Sequence, residues 1–207
     1  MRKVGETPPS FERLRAIGGV IDFAVFDDAR GAEAEIVAAV GAALPQGAAF
    51  SADALDSLGG RPIGERTFFG DWCDPDTRSL IKVGDWRTEH GDVLHDPQLK
   101  GLDRVKLAGG SFPSPEPGSG GQFAYAFTTP PYGLWAPPGE VQDLFDEICA
   151  FILPPWTRND ILDWSSPKLP DASDYFEAGM EWWGVFLFSI HAPTLKRLVI
   201  AMASATD

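Results

Sequence analysis

The sequence predicts an α+β fold with a mainly antiparallel sheet, in which a C-terminal hairpin at about residues 181–203 is covered by a few helices. Residues 181–190 and 195–203 are apolar runs, and the segment between them has the composition of a turn. Residues 140–153 carry apolar side chains at helical spacing. Segments typical of strands and of helices do not alternate regularly, which disfavours a parallel sheet. We expect residues 1–207 to form a single domain.

The predicted hairpin is the centre of the fold because both of its faces are apolar. Side chains along a strand alternate between faces, so Trp183, Val185 and Leu187 share one face, which we expect to point into the core. A four-residue loop at residues 191–194 would place Val185 opposite Ile200.

The opposite face of the hairpin is predicted to form a shallow trough, with Trp182 and Phe186 as its walls. In the same register Phe188 lies opposite Arg197, so a cation borders the trough. Strands that are apolar on both faces are usually covered on both. We therefore expect a helix of the same chain to fill the trough, and a ligand or partner is the alternative.

Spacing and capping signals predict the other elements in chain order. Helices are expected at residues 10–17, 32–44, 51–58 and 140–153. Strands are expected at residues 20–26, 104–107 and 122–129, and a second hairpin at residues 67–72 and 78–83. The Pro-, Gly- and Ser-rich stretch at residues 112–121 is predicted to be a flexible loop, with a linker between two subdomains as the alternative.

Charge limits the classes of partner. The chain has 30 acidic and 17 basic residues and a formal net charge of -13, which opposes binding to a phosphate backbone, so no nucleic-acid partner is expected. An acidic surface favours a basic protein partner, a metal ion or a cationic ligand, or it serves solubility alone.

The compartment is predicted from the cysteines and from the lack of long apolar segments. Cys73 and Cys149 are too few and too far apart in sequence to define a disulfide framework or a zinc site, so free thiols are expected. No apolar run has the length of a membrane span, and the N-terminus lacks the apolar region of a signal peptide. These features favour a cytoplasmic protein without membrane association.

The residues best suited to metal binding or catalysis lie between residues 71 and 96. Carboxylates and imidazoles of the type that bind divalent ions occur there, namely Asp71, Asp74, His90, Asp92 and His95. Their spacing matches no established metal frame. An Asx-type turn at residues 74–76 and a solvated loop at residues 90–96 explain them more economically, so neither a metal nor another cofactor is expected. The sequence contains no phosphate-binding glycine loop and no nucleophile elbow.

Tryptophans on proline-rich connections are the other candidates. Trp135, Trp156 and Trp164 can form a stacking platform for a ligand or partner, or they can plug the ends of the core. As binding residues we expect Trp156 and Trp164, with Trp182 and Phe186 from the trough.

The sequence thus predicts a non-catalytic binding or protein-interaction module with an acidic surface. The alternative is a metal-assisted or carboxylate-dependent enzyme that uses the Asp71–Asp96 region. A catalytic site should gather at least two titratable groups with perturbed pKa values in one cleft, whereas an interaction surface should be broad and poor in buried charge.

Overall fold

A computed structural model describes residues 1–206 and confirms the α+β class. The strands are, in chain order, β1 (Arg2–Lys3), β2 (Asp22–Asp27), β3 (Arg61–Ile63), β4 (Asp85–Thr88), β5 (Val93–His95), β6 (Leu107–Ser111), β7 (Asp160–Asp163), β8 (Val185–Ala192) and β9 (Arg197–Ser204). Six of them form an antiparallel sheet in the order β1-β2-β9-β8-β7-β3. The other three form a small antiparallel sheet in the order β5-β4-β6. The C-terminal hairpin therefore occupies the middle of the larger sheet, and the short strands β1 and β3 are its edges.

The helices are α1 (Pro9–Ala16), α2 (Glu33–Ala43), α3 (Ala52–Leu58), α4 (Glu65–Phe69), α5 (Phe123–Thr128), α6 (Pro138–Ile152) and α7 (Leu169–Ala172). The four predicted helices correspond to α1, α2, α3 and α6. Ser51 caps α3 because its hydroxyl accepts a hydrogen bond from the Ala54 amide at 3.2 Å. No helix in residues 1–206 is long and apolar enough to cross a bilayer.

Helices cover both faces of the six-stranded sheet and create two core layers. Phe186, Phe188 and Ile190 of β8 pack with side chains from α1, α4, α5 and α6. Val185 and Leu187, which point the other way, pack with side chains from α2, α3 and α7. All eight residues of β8 are buried, as expected for a central strand covered on both sides.

The predicted C-terminal hairpin is confirmed, but its register was wrong by four residues. Val185 pairs with Ser204 instead of Ile200, and Arg197 pairs with Ala192 instead of Phe188. The turn lies two residues later than expected, at residues 193–196. A shift by an even number of residues keeps every side chain on its predicted face.

Trp183 is the exception to the predicted faces. Gly184 has a φ of 133°, a conformation that interrupts the strand, and β8 begins only after it. The Trp183 ring consequently lies in the same core layer as Phe186, beside Tyr125 of α5.

The second predicted hairpin was wrong. Residues 65–69 form α4, which begins after Gly64 and ends at Gly70, where φ is 71°. Only an isolated bridge between Cys73 and Leu80 resembles the expected pairing.

The strand predicted at residues 122–129 is also wrong, because residues 123–128 form the helix α5. Five consecutive side chains of this helix, at residues 123–127, are buried. A helix buried on all sides has no polar face, so the alternation of Phe123, Tyr125 and Phe127 with small residues carried no information about its period. The strand expected at residues 104–107 is displaced to β6.

Glycines in the stretch at residues 112–121 are required by close packing. Gly120 and Gly121 adopt positive φ, and the Gly121 amide donates to the buried carboxylate of Asp163 at 2.9 Å. A Cβ at Gly120 would lie 2.4 Å from the same carboxylate, which also pairs with Arg61. The flexibility expected for this stretch stays a prediction.

Val185→Asp tests the double burial of the central strand. The substitution places an unpaired carboxylate in a completely buried position, so we expect a loss of about 3 to 5 kcal/mol in the free energy of unfolding. Denaturant titration followed by tryptophan fluorescence measures this loss. Val93→Asp on the exposed strand β5 is the matched control and should cost less than about 1 kcal/mol. Equal midpoints for the two variants would contradict the assignment of β8.

Candidate functional site

The small sheet holds three of the five alternative metal ligands, but each has a local role. The His95 Nδ1 atom lies 2.6 Å from a carboxylate oxygen of Asp85, an ion pair when the imidazole is protonated. The hydroxyl of Thr88 lies 3.3 Å from an Asp92 carboxylate oxygen and also accepts from the His90 amide. These contacts are typical of an exposed strand pair and its turn.

The other two alternative ligands lie in the loop after α4. An Asp74 carboxylate oxygen accepts from the amides of Asp76 and Thr77, which confirms the predicted Asx-type turn and lowers the pKa of Asp74. The Asp71 amide donates a hydrogen bond to the side-chain oxygen of Gln122, and the Gln122 side-chain amide donates one to the Asp71 carboxylate. Within residues 1–206, no three His, Cys, Asp or Glu side chains are close enough to hold a metal ion. The five predicted residues are therefore not brought together.

Trp164 does not lie at the surface, as a binding residue would. Its side chain is 1% exposed, and its indole N–H donates to the hydroxyl of Ser189 at 3.0 Å. The ring lies against the backbone of Gly60, where a Cβ would come within 2.7 Å of it. The indole N–H has its hydrogen-bond partner inside the protein and the ring fills the core, so Trp164 is a core plug.

Phe186 is also buried, because the predicted trough is filled by a helix. Its ring centroid lies 6.2 Å from that of Tyr125 on α5 and 5.2 Å from that of Trp183. The expectation that a helix of the same chain covers this face is confirmed.

Exposed aromatic side chains instead surround the ends of α6. Trp135 and Tyr132, in the loop before the helix, are 75% and 71% exposed, and Trp156, in the turn after it, is 69% exposed. Trp182, before β8, is 42% exposed. The Trp135 amide donates to the Ile17 carbonyl at 2.8 Å, which anchors the loop backbone against the end of α1. The sequence argument did not single out Tyr132, although prolines at 130, 131, 137 and 138 mark its loop as a surface connection.

The outer face of α6 is acidic. Its exposed carboxylates, Glu140, Asp143, Asp146 and Glu147, follow helical spacing, whereas its inner side chains are buried. Arg13 of α1 donates to both Glu147 oxygens, at 3.0 and 2.9 Å. Glu140 and Asp143 form no ion pair with any residue in the range 1–206. The half of the helix nearest Trp135 therefore carries carboxylates without basic partners.

The side chain of Gln142 connects α6 to another part of the fold. Its carbonyl accepts from the Leu80 amide at 2.7 Å, and its amide donates to Asp146 at 2.9 Å. Gln142 is itself buried, so it fixes the helix to the loop that follows α4. This tertiary contact had no signal in the sequence.

Burial and nearby charges perturb the pKa values of several groups in residues 1–206. Burial, followed by the charge of Asp74, raises the pKa of the Cys73 thiol to about 12, and burial holds the pKa of the Cys149 thiol well above its usual value. Both cysteines are free thiols, as predicted, and both stay protonated and poorly nucleophilic at neutral pH. The pKa of Tyr175 is raised by burial and by the adjacent Asp22 carboxylate, to which its hydroxyl donates a hydrogen bond.

Comparison of the chain with protein-family models, with curated proteins and with solved structures finds no match.

The different burial of two tryptophans gives a direct test. Trp164→Ala removes a fully buried ring and its hydrogen bond, so we expect a loss of about 3 to 5 kcal/mol in the free energy of unfolding. Trp156→Ala, on the exposed turn, should change it by less than about 0.5 kcal/mol. Chemical denaturation of both variants, followed by far-ultraviolet circular dichroism, measures the difference. A fully stable Trp164→Ala variant would contradict its role in the core.

A chelator tests whether the fold depends on a metal. We expect the same thermal midpoint with and without EDTA, because the described side chains form no cluster whose ligands would be lost together. Differential scanning calorimetry measures the midpoint. A midpoint lowered by chelator and restored by a divalent ion would instead favour the metal-assisted enzyme.

Proposed function

We propose that this protein is a non-catalytic interaction module that binds a basic protein through the outer face of α6 and the aromatic loop before it. We call this region the α6 surface and define it by Tyr132, Trp135, Glu140 and Asp143. The observation that carries the proposal is that exposed aromatic rings and carboxylates without ion pairs both occur within residues 132–143, one continuous segment of the chain.

Charge and aromatic area have separate roles in this proposal. Residues 82–106 contain five acidic and five basic side chains, so the net charge of -13 belongs to the rest of the chain, which includes α6. Such a field accelerates encounter with a basic protein, and it weakens as the Debye length falls from about 10 Å at 0.1 M salt to about 3 Å at 1 M. Specific contact then depends on Trp135 and Tyr132, because rigid rings bury large areas with little loss of rotamer entropy.

The α6 surface has the dimensions of a binding surface for an extended or helical segment. A helix of 15 residues is about 22 Å long, and exposed aromatic side chains lie before its first turn. A partner segment with basic residues along its length and an apolar residue opposite Trp135 would match this arrangement. The free thiols favour the cytoplasm as the place of encounter.

Matched variants test whether the α6 surface, and not total charge, binds the partner. The wild-type protein on a resin should retain a basic protein from its native cell extract at low salt, and the double variant Glu140→Gln/Asp143→Asn should retain about tenfold less. Asp53→Asn/Asp56→Asn on the exposed side of α3 removes the same charge from another helix and should retain the wild-type amount. Trp135→Ala should also weaken retention by about tenfold, whereas Trp156→Ala is the aromatic control.

Two results would contradict the proposal. Equal losses in the two charge variants would show that capture depends on total charge, and capture that survives Trp135→Ala at wild-type strength would remove the aromatic anchor. Circular dichroism of each variant excludes unfolding as the cause, and a photo-crosslinker at Tyr132 should label the same retained protein.

A further inference from the structure

A short segment before α5 has an unusual backbone. Residues 118–122 connect the exposed stretch after β6 to the buried helix α5. Four of these five residues have positive φ, namely Gly118, Gly120, Gly121 and Gln122. Glycine adopts such angles without steric cost, whereas a residue with a side chain, such as Gln122, does so only when its surroundings hold it there. Contacts with the rest of the fold must therefore keep this segment in place.

One of these contacts is a buried carboxylate at the end of β7. The Asp163 side chain is 1% exposed, and one of its oxygens accepts from the Gly121 amide and from the Arg61 guanidinium, each at 2.9 Å. The other oxygen accepts from the Ser165 amide at 3.0 Å. A buried carboxylate needs such donors to compensate for its lost solvation. The bond from Gly121 therefore ties the segment to β7.

Close backbone packing is the second kind of contact. An added Cβ would clash with the Asp163 carboxylate at Gly120 and with the Thr67 carbonyl at Gly121. At Gly118 it would clash with backbone atoms of the turn after β7. The segment thus lies directly against α4 on one side and against β7 and its turn on the other.

Gln122 connects the same segment to the loop after α4. Its side-chain oxygen accepts from the Asp71 amide at 3.1 Å, and its side-chain amide donates to the Asp71 carboxylate at 3.2 Å. Gly120 and Gln122 on one side, and residues 70–75 on the other, line a cleft of about 400 Å³ that is open to solvent. Cys73, two residues after Asp71, also lines this cleft, although it is only 3% exposed.

Apolar burial contributes little to holding the segment closed. Apart from proline, residues 113–121 have no apolar side chain, whereas the following helix α5 has five consecutive buried side chains. The free energy of local opening is low where few apolar contacts are lost. The segment should therefore separate from β7 and α4 more readily than α5 leaves the core.

We propose that residues 118–122 form a latch that opens without unfolding of the core, and that this opening controls access to the cleft lined by Cys73. Opening releases the Gly121 amide from Asp163. Because Gln122 is the last residue of the latch, the same movement breaks its two bonds with Asp71 and frees the chain next to Cys73. The latch does not depend on the function proposed for the α6 surface.

The two cysteines allow opening of the latch to be measured. Cys149 is as buried as Cys73 but lies on the inner side of α6, so it reports on unfolding of the core. We expect N-ethylmaleimide to label Cys73 of the native protein faster than Cys149 by about tenfold or more. Peptide mass spectrometry after a series of labelling times measures both rates in one sample.

Gly120→Ala should favour the open latch. The substitution puts a Cβ against the Asp163 carboxylate at a φ of 84°, so we expect labelling of Cys73 to accelerate by about tenfold while that of Cys149 is unchanged. Gly47→Ala is the matched control, because Gly47 has a φ of 95° but no atom within 4 Å of an added Cβ. This control should label Cys73 at nearly the wild-type rate.

Three results would overturn the proposal. They are equal labelling of the two cysteines in the wild type, equal acceleration of both in Gly120→Ala, and an unchanged Cys73 rate in folded Gly120→Ala. If Gly120→Ala fails to fold, hydrogen exchange of the wild type decides. The Gly121 amide should then exchange faster than the amides of β8, and equally slow exchange would refute independent opening.

Discussion

Burial of the β8–β9 hairpin on both faces is the constraint on which the rest of the structure depends. Neither strand has a polar face that could meet water, so each side needs its own layer of helices. Burial of apolar surface stabilises a fold by about 25 cal/mol per Å². Covering both faces of the hairpin therefore supplies most of the hydrophobic stabilisation that a chain of this size can obtain from one sheet. The positions of the helices follow from this need.

The surface of α6 is a consequence of the same constraint. The helix turns its apolar residues toward the sheet, which leaves its polar residues outside in a fixed direction. Arg13 and Gln142 hold it laterally, against α1 and against the loop that follows α4. A rigid scaffold of this type lets exposed rings and carboxylates keep constant relative positions, which is what recognition of a partner requires.

Local sequence signals predicted the elements that have one solvated face or a clear cap. The helix α6 shows an amphipathic period, and α3 begins at the Ser51 cap. In the turn at Asp74, the side-chain carboxylate accepts a hydrogen bond from the backbone. The predictions failed where tertiary contacts replace the local signal. α5 is buried on all sides, so its aromatic spacing resembled that of a strand. The hairpin register depended on a turn that Pro193 permits at more than one position.

The sequence predicted the type of candidate site but not all of the residues that form it. Composition indicated acidity and exposed aromatics, but not which tryptophans are exposed, because Trp164 and Trp156 lie on similar proline-containing connections. Inside the fold, the Trp164 ring lies against Gly60 and its N–H donates to the hydroxyl of Ser189, 25 residues away.

The edge strands of the larger sheet limit the way in which any partner can attach. β1 has two residues, both basic and exposed, and β3 has three, with Pro62 in the middle. Short edges that carry charge or proline are poor templates for an added strand. These edges therefore disfavour extension of the larger sheet by the backbone of a partner, and they disfavour edge-to-edge joining of two copies. Recognition at this sheet would then depend on side chains, whose replacement can alter binding without altering the sheet.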